Sequence, residues 1–384
     1  MKYNFISCGL RPEVCHIMEL YKAFQITETL SLLENELPLV IDTPYPYVSI
    51  QDIQTVSSVF AYNIPQKIVS NLDDSLQQIA VEFAPEDSTF YKIKASDMYT
   101  VLENLAEDEI KRSNKTIGVI HMDRHIGQLQ QGCQFTRLNV SRDSRGQLTP
   151  RTGSTTSVEQ QLQNIISWAN NQQLEEVLFI DDVVAFGDTL PIIIQKLHEK
   201  GLSKDIKLRA AVGIAASGGV WEGIEKTYEK TGIEVEYLTK VNASPEIPGK
   251  SLGMALPVSR DLTLFGGRVT NLKGGLQLIH PYMLPFSKPM PSIIRPEYQI
   301  EASQKLLEFS KVIVNTIEEY SEAVLRIGDL IDKNTGIPYT TLRCLNDTMC
   351  MPAYDVSLAD YLDYSLAILN ENKDTILQEC LATD

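Results

Sequence analysis

Two adjacent carboxylates, Asp181 and Asp182, stand directly after four apolar residues, Val177-Leu178-Phe179-Ile180. They are followed by Val183-Val184-Ala185-Phe186-Gly187-Asp188-Thr189. Acids at the end of an apolar run can accept hydrogen bonds from sugar hydroxyls or hold a hydrated metal ion. The Gly-containing turn offers backbone N–H groups, and the helix start beyond it offers a positive dipole end; both favour a phosphate. A second group is His121, Asp123 and His125. These alternate, so on an extended chain they share one face. His-x-Asp-x-His is a metal-ligating pattern, and with Asp181 and Asp182 it would complete a two-metal hydrolase. Arg124, Arg142 and Arg145 stand in polar stretches, where they meet an anion or are simply solvated. Two other chemistries lack support. The segment Ser244-Pro245-Glu246-Ile247-Pro248-Gly249-Lys250-Ser251 has Ser where a Walker loop needs its first Gly, and it contains two prolines. There is no Gly-x-Ser-x-Gly nucleophile elbow.

These residues need elements to position them. Residues 177–180 read as a strand buried on both faces, as in a parallel sheet. Residues 190–197 read as a helix with Pro191 in its first turn. Five strand-like segments, at 116–120, 135–140, 177–180, 208–214 and 235–238, are interleaved with helical patterns at 158–170, 190–198 and 221–231. Such alternation implies a parallel sheet with right-handed crossovers, and ligands bind beyond the carboxyl ends of its strands. The stretch 95–112 reads as an amphipathic helix capped by Ser96. Residues 1–94 read as a mixed α/β subdomain, with a helical pattern at 11–33, a short strand at 37–41 and apolar runs at 50–53 and 56–62. Residues 243–297 are rich in Pro and Gly, with 262–265 as their main strand-like run, and read as a hood. Helical patterns at 301–331 and 356–381 make a C-terminal helical region, for dimerisation or for binding an acceptor. The expected layout is an N-terminal subdomain (1–94), an α/β core (95–285) and a helical region (286–384).

The stretch 177–190 resembles the phosphoribosyl-pyrophosphate (PRPP) binding motif of type I phosphoribosyltransferases: four apolar residues, two acids, two apolar residues, two small residues, Gly, any residue, and Ser or Thr. About fourteen residues are covered. One position departs, because Phe186 stands where that family has a small residue. The resemblance implies a parallel-sheet phosphoribosyltransferase-like core and a Mg²⁺-dependent transfer between PRPP, or a nucleoside monophosphate in the reverse direction, and a small nitrogen acceptor. It implies that Asp181 and Asp182 hold the ribose hydroxyls, and Mg²⁺ through water or the ribose. The turn Ala185-Phe186-Gly187-Asp188-Thr189 would cradle the 5'-phosphate. Asp188 would repel that phosphate unless its side chain points away. Arg124 falls where the family places its pyrophosphate loop. Arg142 and Arg145 fall where it often carries a basic pair leading into a mobile loop, here 146–156. Base-contacting positions would follow the later strands, at 216–219, Lys240 and 260–265. The helical stretch at 158–170 is a further departure, since that connection is shorter in many members. Ala185 replaces an acid typical of enzymes for 6-oxopurines, which leans away from that subgroup. A catalytically inactive PRPP- or nucleotide-binding regulator stays open beside the enzyme; Phe186 and Asp188 favour it.

Composition narrows the class. The 384 residues carry a formal net charge of -16, are 43% hydrophobic and are 22% charged. This is a globular composition. The acidic balance weighs against a nucleic-acid backbone reader. Residues 1–10 have no basic start with an apolar run, and no apolar stretch is long enough to span a bilayer, so the expected setting is the cytoplasm. None of the six Cys forms a Cys-x-x-Cys pair, so free thiols are expected rather than a structural zinc.

Overall fold

A computed structural model of the chain describes residues 28–29, 39–41, 46–51, 53, 64–83, 89–122, 134–142, 147–150, 156–184, 187–243, 268–271, 277–280, 298–326, 329 and 355–371. In chain order the elements are β1 (Glu28–Thr29), β2 (Leu39–Ile41), β3 (Pro46–Gln51), α1 (Gln66–Glu82), β4 (Thr89–Lys94), α2 (Ala95–Arg112), β5 (Ile117–His121), β6 (Gln134–Arg137), β7 (Val140–Arg142) and β8 (Leu148–Pro150). Then follow α3 (Val158–Asn171), β9 (Glu176–Val184), α4 (Thr189–Glu199), β10 (Lys207–Ala216), α5 (Ser217–Thr231), β11 (Val235–Ala243), β12 (Arg268–Asn271), β13 (Gln277–His280), α6 (Gln299–Ser321) and α7 (Leu358–Glu371).

The protein is α/β, built on parallel sheets. The main sheet has the order β2-β11-β10-β9-β5-β6, and every neighbouring pair is parallel. Its five consecutive core strands, β5, β6, β9, β10 and β11, therefore lie in the order second, first, third, fourth, fifth. This is a doubly wound arrangement whose direction of winding reverses between β5 and β9. The sheet has one strand more than the five expected. β2 comes from the N-terminal stretch and pairs its Leu39–Ile41 backbone with Val241–Ala243. Sequence periodicity cannot reveal a partner about two hundred residues away.

The parallel sheet is buried on both faces, which is why β9 has no polar residue from Val177 to Ile180. Successive side chains alternate. Val177 and Phe179 pack with α3 and α4 residues such as Leu162, Ile165, Ile193 and Leu197. Leu178 and Ile180 pack with Met98, Val101 and Leu102 of α2 and with Val48 and Ile93 of a second parallel sheet, β1-β4-β3. Ser157 caps α3 by accepting from the Gln160 N–H at 3.1 Å. The C-terminal helices join by an ion pair, Lys311 Nζ to Asp363 Oδ1 at 2.7 Å.

Several expectations are corrected. The helical pattern at 11–33 contains the strand β1, because Glu28 and Thr29 pair with Tyr91 and Lys92; the rest of that stretch lies outside the described residues. Ser96 does not cap α2. The cap position is Lys94, with no side-chain bond, and the Ser96 hydroxyl donates to Asp97. The segment 135–140 splits: β6 stays in the main sheet, while β7 turns into an antiparallel hairpin with β8. The pattern at 301–331 stops at Ser321, where Glu322 adopts a left-handed backbone with φ 55°. Helix α1 was not anticipated. The segments 56–62 and 262–265 lie outside the described residues.

Tight packing reaches the strand that carries the acids. A Cβ on Gly213 of β10 would stand 2.1 Å from Met98 Sδ and 2.8 Å from the Asp182 carbonyl oxygen. The thioether can move, but the backbone oxygen cannot. Gly213→Ala is expected to cost about 1–3 kcal/mol of stability, read as a lower urea midpoint at unchanged slope.

Candidate functional site

β9 delivers the two acids. Its alternation puts Asp181 on the side of Phe179 and Asp182 on the side of Ile180. Asp182 is 9% exposed. Its N–H donates to the Asp181 carboxylate at 3.1 Å. On the Asp181 side lies Tyr237 of β11. Burial, helped by the Asp181 charge, pushes the Tyr237 phenol above its ordinary value. Its hydroxyl is buried and has no hydrogen-bond partner among the described residues.

β5 ends beside these acids. His121 is in register with Ile180, and the next N–H, from Met122, donates to the Ile180 carbonyl at 2.8 Å. The chain leaving β5 toward Arg124 therefore starts abreast of Asp181. His121 itself is 1% exposed, and its ring lies 5.5 Å from that of Phe135. Asp123, Arg124 and His125 lie outside the described residues. Among the described residues no three His, Cys, Asp or Glu side chains gather as a metal site.

The turn after β9 takes its shape from Gly187, whose φ is 62°. A side chain is strained in this left-handed region, and Gly is not. Asp188 follows as the cap residue of α4. An Asp here usually turns its carboxylate back onto the helix's first N–H groups. This one does not: its backbone is already helical and its side chain makes no capping bond. Instead Lys226 Nζ of α5 donates to Asp188 Oδ1 at 2.6 Å, and also to Glu222 Oε2 at 2.8 Å. Burial alone would lower the Lys226 pKa, but the two carboxylates outweigh it, and the ammonium is held above its ordinary value. One turn before Lys226, Gly223 brings the α5 backbone against the same loop. A Cβ there would meet the Tyr237 hydroxyl at 2.9 Å and the Gly187 carbonyl oxygen at 3.2 Å. Thr189 opens α4 and is partly buried.

The remaining candidates are scattered or undescribed. Arg142 is on β7, its backbone paired with Leu148 of β8; Arg145 lies outside the described residues. Ala185 and Phe186 are likewise outside them, as are 260–265. Ser217, Gly218 and Gly219 begin α5, and Lys240 is on β11. The structure thus brings together Asp181, Asp182, Gly187, Asp188 and Thr189 at one end of the sheet. Sequence reasoning missed Lys226, Gly223 and Tyr237. Glu222 and Lys226 are four apart on a helix, which reads as an ordinary surface pair. Nothing in their spacing points to Asp188.

The site is thus an acid pair inside the carboxyl-terminal half of a central parallel strand, which runs on to Val184 instead of ending at Ile180 as its apolar run predicts, followed by a Gly turn whose one acidic side chain is held by a lysine. It can offer carboxylate acceptors to hydroxyls and helix-end N–H groups to an anion. No helix among the described residues is long and apolar enough to cross a membrane. No family model matches the chain, and no curated protein matches it. Among solved structures it is similar to the adenine phosphoribosyltransferase of Trypanosoma brucei in complex with AMP, pyrophosphate and ribose-5-phosphate. The identity is 15% and the TM-score 0.25, over 40% of this chain and 69% of that one. A likeness at that TM-score decides nothing about the site, which stands on its own geometry.

Proposed function

We propose that the chain binds PRPP or a nucleoside monophosphate at the carboxyl ends of β5 and β9, and that it transfers the 5-phosphoribosyl group between PRPP and a nitrogen acceptor. One observation carries this reading. The winding of the sheet reverses between β5 and β9, and there, past the Ile180 position where the β5 pairing ends, β9 carries the acid pair on toward the Gly187 turn while still paired with β10. Ligands of doubly wound sheets bind at such points. The fold by itself would not name a chemistry; the acids and the turn do.

In this reading Asp181 and Asp182 accept hydrogen bonds from the ribose hydroxyls. The N–H groups of Gly187 to Thr189 and the Thr189 hydroxyl take the 5'-phosphate. The bond from the anomeric carbon to pyrophosphate breaks with its electron pair leaving on oxygen. A bond from the acceptor nitrogen forms on the same carbon, and the nitrogen gives up its proton to solvent. Positive charge develops on the sugar between these events, and the two carboxylates stabilise it. Arg124, Arg142 and Arg145 would meet the pyrophosphate. Mg²⁺ suits the donor set. It is commonly held by one or two carboxylates together with substrate phosphates, and two adjacent carboxylates with no third acid gathered among the described residues match that habit. When bound it supplies charge neutralisation to the leaving pyrophosphate.

The test is direct. PRPP with Mg²⁺, at a hundredfold excess over its Kd, is expected to stabilise the chain by about 2.7 kcal/mol, seen as a higher Tm. Pyrophosphate release should then appear with at least one base from a panel. No stabilisation by PRPP or by any nucleoside monophosphate would refute the ligand. Binding without release for any acceptor would make the chain a PRPP-responsive regulator.

A further inference from the structure

The phosphate turn carries an acid where an anion is to sit, and the structure supplies a counterweight from another element. Asp188 is the cap residue of α4, yet its carboxylate is drawn to Lys226, at 2.6 Å, and makes no capping bond. Lys226 belongs to α5, 38 residues further along the chain. Its second carboxylate, Glu222, is on the same helix. The ion pair is about two-thirds buried on both sides, with side-chain exposures of 33% for Lys226 and 31% for Asp188. One turn before it, Gly223 lets the helix backbone approach Gly187 so closely that a Cβ would stand 3.2 Å from its carbonyl oxygen. Thr227, buried beside it, returns its hydroxyl to the Gly223 carbonyl at 2.6 Å, so this face of α5 is closed against the turn.

Each contact has a consequence for a bound anion. An Asp side chain that capped α4 would occupy the N–H groups a phosphate needs. One that pointed into the turn without a partner would repel the phosphate. The lysine removes the first obstacle by turning the carboxylate onto α5, and it eases the second by offsetting part of the charge, since Glu222 shares the same ammonium. We propose that Lys226 is a positioning residue for the phosphate turn: by holding Asp188 against α5 it leaves the N–H groups of Gly187–Thr189 to donate to the 5'-phosphate of the ligand. The inference rests on the phosphoribosyl reading above and adds to it a residue outside the motif. Lys226 touches no ligand in this arrangement. It acts through Asp188, with α5 as the brace and Gly223 as the point of closest approach.

The test uses the whole chain and ribose 5-phosphate as the probe, with binding measured by calorimetry for the wild type, Lys226→Met, Lys226→Gln and Lys226→Met/Asp188→Ala. Lys226→Met is expected to bind about tenfold more weakly at pH 7.5, the scale of one unscreened charge several ångströms from the phosphate. At pH 5.5 the loss should shrink, because a phosphate monoester has its second pKa near 6 and then carries about one charge fewer. The double variant should recover most of the wild-type affinity, because the acid that needed neutralising is gone. Lys226→Gln keeps a donor but no charge. It is expected to repeat the loss, and stands in if Lys226→Met does not fold. A wild type that binds while both single variants bind equally well overturns this inference alone. A loss that is the same at both pH values, or that the second substitution does not repair, reduces Lys226 to a structural prop and also overturns it. A wild type that does not bind ribose 5-phosphate overturns the phosphoribosyl reading along with it.

Discussion

Asp181→Asn/Asp182→Asn is expected to lower pyrophosphate release from PRPP by about 10²–10³-fold, the usual scale for removing a preorganised group aimed at developing charge. It should also abolish the rise in Tm given by PRPP with Mg²⁺. The substitution keeps size and an acceptor oxygen, so the Asp182 N–H can still donate to residue 181 as it does now at 3.1 Å. What disappears is negative charge beside the sugar. The effect on the unliganded chain should run the other way. Two like charges on neighbouring residues repel each other. Removing them should leave the unliganded Tm unchanged or raise it. A gain in stability with a loss of function marks residues kept for chemistry. A lower unliganded Tm with the ligand shift intact would mean that the acids hold the fold instead.

Phe179→Ala should produce the largest loss of stability on this strand, about 3–5 kcal/mol. The side chain is 1% exposed and packs with the α3–α4 cluster. Its removal leaves a cavity that neither a parallel sheet nor two crossing helices can close, so cavity and transfer costs add. Set against a typical total of about 5–15 kcal/mol, that is a large share. It is read as a lower urea midpoint. Phe179 is two residues before Asp181 on the same side of the strand, so residual binding should fall as well. Leu178→Ala, on the opposite face among α2 residues, provides the comparison: about 2–5 kcal/mol with less effect on Asp181. Equal midpoints for Phe179→Ala and the wild type would contradict the packing described.

The central strand and the turn after it were legible because their signals are local. Four apolar residues in a row imply burial on both faces, and α2 on one side and α3–α4 on the other provide it. The Gly-containing turn was expected from its residues, and the left-handed φ of 62° at Gly187 gives the backbone reason for glycine there. The helices at 158–170, 190–198 and 221–231 were placed to within a few residues, since each has a stripe of apolar side chains at the helical period. Where the pattern misled, the cause was tertiary. Residues 28–29 joined a sheet because β4 offered its edge. The segment 135–140 broke in two because the main sheet ends at β6 and the chain turned back on itself as β7 and β8.

Asp188 marks the division most clearly. Read in the chain, an acid inside a phosphate turn argues for a damaged site, because local spacing shows the charge and not its partner. The residue types and order from Val177 to Thr189 were enough to specify a buried strand, two acids and a turn suited to phosphate. They could not specify where the Asp188 carboxylate points. That was decided by the packing of α5 across the turn, which sets Gly223 against Gly187 and Lys226 against Asp188. Side-chain direction and charge compensation depend on which distant elements share a face. Only the folded sheet, with its winding reversed between β5 and β9, brings those elements together.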